Sequence, residues 1–197
     1  MPDIYEHIHV DIVSLLLLFG ILRPLFYKIV LLNKFIVMRT KELRIFVYEY
    51  PTLYDLPDAD QKLVLAAREA SGRAFAPYSR FNVGAALLLE NDEVITGNNQ
   101  ENAASPTGLC AERVALFYAN ATYPDIAVKA MAVTASNSHG LVEGPVKPCG
   151  SCRQAMVETE VRYKQPIRII LDGKKKIQVF DGVENLLPFA FKPESLD

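Results

Sequence analysis

Apolar and polar positions along this chain keep two rhythms that trade places from residue 43 onward. Leu43, Ile45 and Val47 alternate with Arg44, Phe46 and Tyr48, the period-two pattern of a strand, placed here at a sheet edge. Asp58 with Gln61 three residues on has the form of a capping box. Leu63, Ala66, Ala67, Ala70 and Ala74 then mark one face of a helix that ends before Pro77. Val83 to Glu90 and Val94 to Asn99 read as strands joined through the turn-prone pair Asn91-Asp92. Cys110 to Ala119 returns to helical spacing, with Cys110, Val114 and Phe117 in phase. Val128 to Ala135 reads as a buried strand, and Ser151 to Val161 as a helix with Cys149 and Cys152 at its start. Ile167 to Leu171 and Ile177 to Phe180 complete five core strands, and a short helix follows Gly182. Core strands alternating with helices predict an α/β sandwich on a mixed sheet.

Residues 1–37 break this rhythm. Ile12 to Leu22 is almost wholly apolar, Arg23-Pro24 interrupts, and Leu25 to Val37 resumes with Lys28 and Lys34 inside it. Asp3, Glu6 and Asp11 stand where a secretory signal would carry basic residues. For a spanning helix, Arg23 near the centre costs about 2.5–3.5 kcal/mol, against about 0.3–0.6 gained per apolar residue. Pro24 would also kink it. Three readings stand side by side: translated sequence upstream of a start at Met38, a membrane or surface helix, and a segment packed on the domain. The chain therefore divides into an extension, 1–37, and a domain, 38–197, with any membrane contact confined to the extension.

Composition narrows the partners. Half of the 197 residues are hydrophobic and 22% are charged, which suits one globular domain with a substantial core. The formal net charge is -2, and the one compact basic run, Lys174-Lys175-Lys176, follows Asp172-Gly173 in what reads as a solvated hairpin turn. Nothing here tracks a phosphate backbone, which argues against a nucleic-acid partner. There is no internal repeat and no low-complexity segment.

The candidate chemistry lies in the cysteines. All three fall into one pattern, Cys110-Ala111-Glu112-Arg113 followed by Pro148-Cys149-Gly150-Ser151-Cys152-Arg153-Gln154. A disulfide framework would leave one of three thiols over, whereas a metal can use them all, and a reducing cytoplasm suits that use. Three thiolates on a tetrahedral zinc leave one position open, the mark of a catalytic site as opposed to a structural one. Such a zinc can activate water near neutral pH, and Glu112 beside it is the candidate proton carrier. A Cys or His ligand with a nearby Glu, followed by Pro-Cys-x-x-Cys, is the known signature of the zinc deaminases. The competing reading is a structural site completed by one of His7, His9 and His139, which leaves Glu112 without a role. Both cysteine blocks are expected at helix N-termini, where the positive dipole end favours thiolate.

These blocks closely resemble the zinc-dependent homotetrameric cytidine deaminases. The likeness extends through Ala76-Pro77-Tyr78-Ser79-Arg80-Phe81-Asn82-Val83-Gly84-Ala85-Ala86, through Gly97-Asn98-Asn99-Gln100-Glu101-Asn102-Ala103-Ala104, and through Leu186-Leu187-Pro188-Phe189-Ala190-Phe191. It spans roughly residues 58 to 192. The resemblance implies a three-layer α/β sandwich with a mixed five-stranded sheet. It also implies a zinc ion on Cys110, Cys149 and Cys152, Glu112 as proton shuttle, and Arg113 donating to a cysteine sulfur. Asn99 and Glu101 would hold the ribose hydroxyls, Phe81 would line the pocket, and the Ala111 amide would reach the base carbonyl. Phe191 would reach the base from a neighbouring subunit. One position departs from the pattern: many relatives place a tyrosine after Asn-Ala-Ala, and this chain has Ser105-Pro106.

The expected reaction is hydrolysis of cytidine and deoxycytidine to the uridine nucleosides. Activated water would add to C4 while Glu112 protonates N3 and then the departing amine. Three rivals are kept: deamination of a cytosine-like antibiotic nucleoside, as in the blasticidin deaminases; polynucleotide editing, whose enzymes typically use His as first ligand; and a silent zinc-binding scaffold. The expected partners are a small nucleoside and copies of the same chain in a homotetramer with shared active sites, in the cytoplasm.

Overall fold

The computed structural model describes residues 39–196, and the 1–37 extension lies outside them. Seven strands are described: β1 (Tyr48–Tyr50), β2 (Asn82–Leu89), β3 (Val94–Asn98), β4 (Val128–Asn137), β5 (Gly140–Leu141), β6 (Arg168–Leu171) and β7 (Ile177–Asp181). Three α-helices accompany them: α1 (Asp58–Ser71), α2 (Ala111–Thr122) and α3 (Gly150–Tyr163). The strands form one sheet in the order β1-β7-β6-β4-β2-β3, with β5 alongside β4. Only β4 and β6 run parallel, with Ala130 opposite Arg168 and Val133 opposite Leu171. A parallel pair needs a crossover, and α3 supplies it.

Side-chain alternation divides the sheet into two faces. Ala85, Leu87, Met131, Val133, Ile169 and Leu171 point toward α2 and α3, where they meet Ala115, Leu116, Met156 and Val157. Their neighbours Ala86, Ala130, Ala132 and Ile170 point the other way, toward Leu63, Val64 and Ala67 of α1. This is a three-layer α/β sandwich on a mixed sheet. Beside the five predicted core strands stand two short ones: β1, where an edge strand was expected, and β5, which the periodicity does not show.

Local detail departs from the periodicity at four places. The N-terminal edge strand is shorter and later than expected, because the chain pairs with β7 only from Tyr48. Ile45, Phe46 and Val47 before it stay exposed, and the Phe46 amide donates to Asn185 Oδ1 at 3.2 Å. The capping box lies one element early: the Thr52 amide and hydroxyl both donate to Asp55 Oδ2, at 2.9 and 2.8 Å. Gln61 instead donates to the Leu56 carbonyl.

On α2 the buried residues are Ala111, Glu112, Ala115, Leu116 and Ala119, whereas Phe117, expected in phase with Cys110, is 50% exposed. Small residues face the sheet there because the helix approaches it closely. Finally, Asp172 is not part of a solvated turn. It is fully buried and accepts from Arg68 Nε at 2.7 Å, Arg68 Nη2 at 2.8 Å and Thr134 Oγ1 at 2.7 Å, fastening α1 across the sheet. Lys174 and Lys175 after it are exposed and stand within ion-pair range of Glu143, while Lys176 is half-buried.

Candidate active site

Cys110 is the N-cap of α2 and Cys149 the N-cap of α3, so both thiols stand where unpaired helix amides favour negative charge. Cys152 follows in the first turn of α3 and is fully buried. The crossover that makes β4 and β6 parallel thus delivers α3 beside α2. Cys110 Sγ lies 3.8 Å from Cys149 Sγ, and Cys149 Sγ lies 3.4 Å from Cys152 Sγ. All three sulfurs fall within 4.8 Å of one another, and none is in a disulfide. Zn–S bonds of about 2.3 Å at tetrahedral angles put sulfurs roughly 3.8 Å apart, so the set fits a zinc ion.

Electrostatics around the sulfurs agree with that fit. Cys110 is held down to about 5, first by its hydrogen bond with Cys152 and then by Arg113 and Cys149, against the opposing effect of burial. Cys152 is pushed up, because it supplies the proton that Cys110 shares and because it is buried. Arg113 brings Nη2 to 3.9 Å from Cys110 Sγ and 3.5 Å from the Gly108 carbonyl. Its Nε is buried without a hydrogen-bond partner among the described residues. Glu112 is only 4% exposed. Burial, and secondarily the charge on Cys110, raises its carboxyl above the ordinary range, which suits a group that must carry a proton.

A cavity of about 630 Å³ opens onto this cluster, a size suited to a small organic ligand. Glu112, Cys110 and Cys149 line it together with Asn99 and Glu101. The last two are held by residues 78–83, the loop before β2 and the start of that strand. Asn99 Oδ1 accepts from the Val83 amide at 2.7 Å, and its Nδ2 donates to the Phe81 carbonyl at 2.9 Å. Glu101 Oε2 accepts from the Tyr78 and Ser79 amides at 2.9 and 3.2 Å, and hydrogen bonding at Ser79 and then Tyr78 lowers its pKa. An amide offers two donors and two acceptor sites, so Asn99 keeps one of each beyond its loop contacts.

Cys152 and Arg113 lie behind the lining, and three of the five expected substrate-binding residues also stand outside it. Phe81 is half-buried and enters through its carbonyl. Ala111 packs its methyl in the core, while its N–H, at the first position of α2, has no helical partner. Phe191 is 58% exposed and bonds through its carbonyl to Gln154 Nε2. Conversely, Tyr78, Ser105 and Lys147 line the cavity without having been singled out as site residues. Position was the available signal: Tyr78 sits in the Ala-Pro-Tyr-Ser block, and Lys147 directly precedes Pro148-Cys149.

A family model for the cytidine and deoxycytidylate deaminase zinc-binding region matches residues 57–164. The chain is 39% identical over 136 residues to a cytidine deaminase from Sporosarcina psychrophila, covering 69% of this chain and 93% of that protein. It is 44% identical over 139 residues to one from Halalkalibacterium halodurans, covering 70% and 97%. Among solved structures, a cytidine deaminase from Burkholderia pseudomallei superposes with a TM-score of 0.56 at 39% identity, covering 66% of this chain and 97% of that one. A cytidine deaminase from Mycobacterium tuberculosis gives 0.52 at 31% identity, covering 69% and 98%.

Proposed function

The chain belongs to the cytidine and deoxycytidylate deaminase family, and from that premise we propose that it hydrolyses cytidine and deoxycytidine to uridine and deoxyuridine with release of ammonia. The observation that carries this reading is one cavity lined by two of three converging cysteines, a buried carboxyl, and the Asn99 and Glu101 side chains. The test is the ultraviolet absorbance change with cytidine, together with ammonia release, on protein assayed for zinc. Zinc-loaded protein that turns over neither nucleoside overturns it, and a panel including cytosine-like antibiotic nucleosides and deoxycytidylate sets the substrate range.

Cys110, Cys149 and Cys152 would hold the zinc, which when bound supplies the Lewis acidity that makes water nucleophilic near neutral pH. Glu112 takes the water proton as the oxygen adds to C4 of the cytosine ring, and passes it to N3. Glu112 then moves the remaining proton of the added oxygen to the amino group, the C4–O carbonyl forms as the C4–N bond breaks, and ammonia leaves with the electron pair. Burial raises the Glu112 carboxyl above the ordinary carboxylate range, which favours holding the proton between the two transfers. Arg113 offsets the excess negative charge of three thiolates on one dication. Asn99 and Glu101 bind the ribose hydroxyls with the capacity their loop contacts leave free, and the Ala111 amide faces the base carbonyl. Phe81 closes the sugar side through the segment that Asn99 grips.

The working unit in this proposal is a homotetramer in the cytoplasm, serving pyrimidine salvage. Phe191 reaches the base of a neighbouring subunit, in keeping with a ring that is exposed and away from its own chain's cavity. Mixing Glu112→Ala with Phe191→Ala protein tests this. Mixed tetramers should exceed the summed activity of the parents, because an intact Glu112 site borrows Phe191 from the other chain. Subunit exchange without such a gain removes Phe191 from the shared site. Residues 38–197 form the catalytic domain, so a chain started at Met38 should keep full turnover; loss of activity there assigns the extension to the enzyme.

Among the described residues, no helix is long and apolar enough to cross a membrane.

A further inference from the structure

We propose that Gly97 is a positioning residue for this reaction: its bare Cα lets the first turn of α2 rest against β3, and that contact sets where Cys110 and Glu112 stand relative to Asn99 and Glu101. The inference rests on the deaminase assignment above.

Gly97 is buried in β3 opposite Ala85, on the face of the sheet that carries α2. A Cβ placed there would stand 2.6 Å from the Ala111 carbonyl oxygen, 2.7 Å from the Ala115 amide nitrogen and 3.0 Å from the Ala115 Cβ. Those two backbone atoms bracket the first turn of α2, which holds Glu112 and is capped by Cys110. No flexible side chain is there to give way. Ordinary contact begins at 3.4 Å, so one methyl would push the helix backbone away by roughly 1 Å in a close-packed interior.

The sugar-binding half would stay behind. Asn99 and Glu101 are tied through their side chains to the backbone of residues 78–83, independently of α2. The displacement therefore opens the distance between the proton shuttle with its metal ligand and the group that holds the substrate. A misplacement of about 1 Å can cost on the order of a hundredfold in rate.

Gly84 supplies the control. A Cβ there would meet the Ala67 carbonyl at 2.0 Å and the Ser71 amide at 2.5 Å, a closer clash, but against α1, which carries none of the proposed site residues. Both glycines matter to packing; only Gly97 meets the helix that carries Glu112 and is capped by Cys110.

The experiment compares the full chain with Gly97→Ala, Gly84→Ala and Ala115→Ser, measuring thermal midpoint, kcat and KM for cytidine, and the rate of zinc loss to a chromogenic chelator. Gly97→Ala should lower kcat by roughly 10- to 100-fold with KM within about threefold, and should release zinc about tenfold faster or more. Gly84→Ala should lower the midpoint at least as much, while kcat per folded chain and zinc release stay within about twofold of the unaltered chain. Gly97→Ala with kcat and zinc release indistinguishable from Gly84→Ala overturns the proposal. Should Gly97→Ala give no soluble protein, Ala115→Ser decides. It adds one oxygen from the helix side of the same contact; a several-fold fall in kcat with faster zinc release supports the role, and unaltered values overturn it. An unaltered chain that deaminates no nucleoside defeats the functional assignment alone, since zinc release still reads the Gly97 contact.

Discussion

The two faces of the sheet use polar groups in opposite ways. On the α1 face the buried charges are matched: Asp172 takes three hydrogen bonds from Arg68 and Thr134, and Asp60 pairs with Arg168 at 3.0 Å. Around the N-terminus of α2, on the other face, the polar groups are left short. Glu112 is buried with its carboxyl raised, Arg113 Nε has no partner among the described residues, and the three cysteine sulfurs have chiefly one another for company. Compensated polar groups hold the fold together, whereas uncompensated ones are held ready for something absent from the chain itself, a metal and a substrate. Helix packing repeats the contrast, because α1 approaches through alanines to brace the sheet while α2 approaches through alanines to aim a carboxyl.

The largest effect is expected at Glu112. Glu112→Gln should keep zinc and fold but lose about 10²- to 10⁴-fold in turnover, measured on zinc-quantified protein. Its thermal midpoint should not fall, since a buried carboxyl is replaced by a neutral amide of the same shape. A collapsed midpoint with retained turnover would break the comparison at its centre.

Arg68→Met asks the converse on the α1 face. It strands the fully buried Asp172 carboxylate with only Thr134, and breaking a buried pair costs about 3–5 kcal/mol. Denaturant unfolding should register that loss while kcat per folded chain stays unchanged. A kcat that fell in proportion would join the two faces energetically.

The smallest effect belongs to Glu160 at the far end of α3, whose Oε1 accepts from the Ile167 and Val183 amides at 2.8 and 2.9 Å. Burial raises this carboxyl, so the folded chain binds its proton more tightly than the unfolded chain does. That contribution is complete below the unfolded pKa and is lost as pH rises through the folded one. Glu160→Gln keeps the acceptor and removes the titration. Its thermal midpoint relative to the unaltered chain should therefore improve as pH rises from 4 to 7. An unchanged difference across that range would show that the raised carboxyl carries no weight in stability.

Much of the molecule was legible along the chain. Helix and strand alternation are local properties, and the five core strands lie within a residue or two of where their periodicity put them. The metal donors were legible because thiols are few, their spacing is chemical, and Cys149 and Cys152 need only one helical turn to meet. Asn99 and Glu101 were visible as residue types at a strand end, but not as side chains gripping the 78–83 loop.

By itself, then, the sequence determined which groups are available and which element each rides on: three sulfurs, a carboxyl two residues from the first of them, and an alternating α/β chain. Only the tertiary structure decided what those groups face. It turned Phe117 of α2 outward and Ala115 inward, because Gly97 allows a contact that a larger side chain would block. It buried Asp172, which reads locally as a turn residue, because Arg68 arrives from a helix far away in the chain. It brought Tyr78 and Lys147 to the same cavity. Periodicity records the direction of a side chain relative to its own element, whereas distances between elements are settled by close packing, which no single segment encodes.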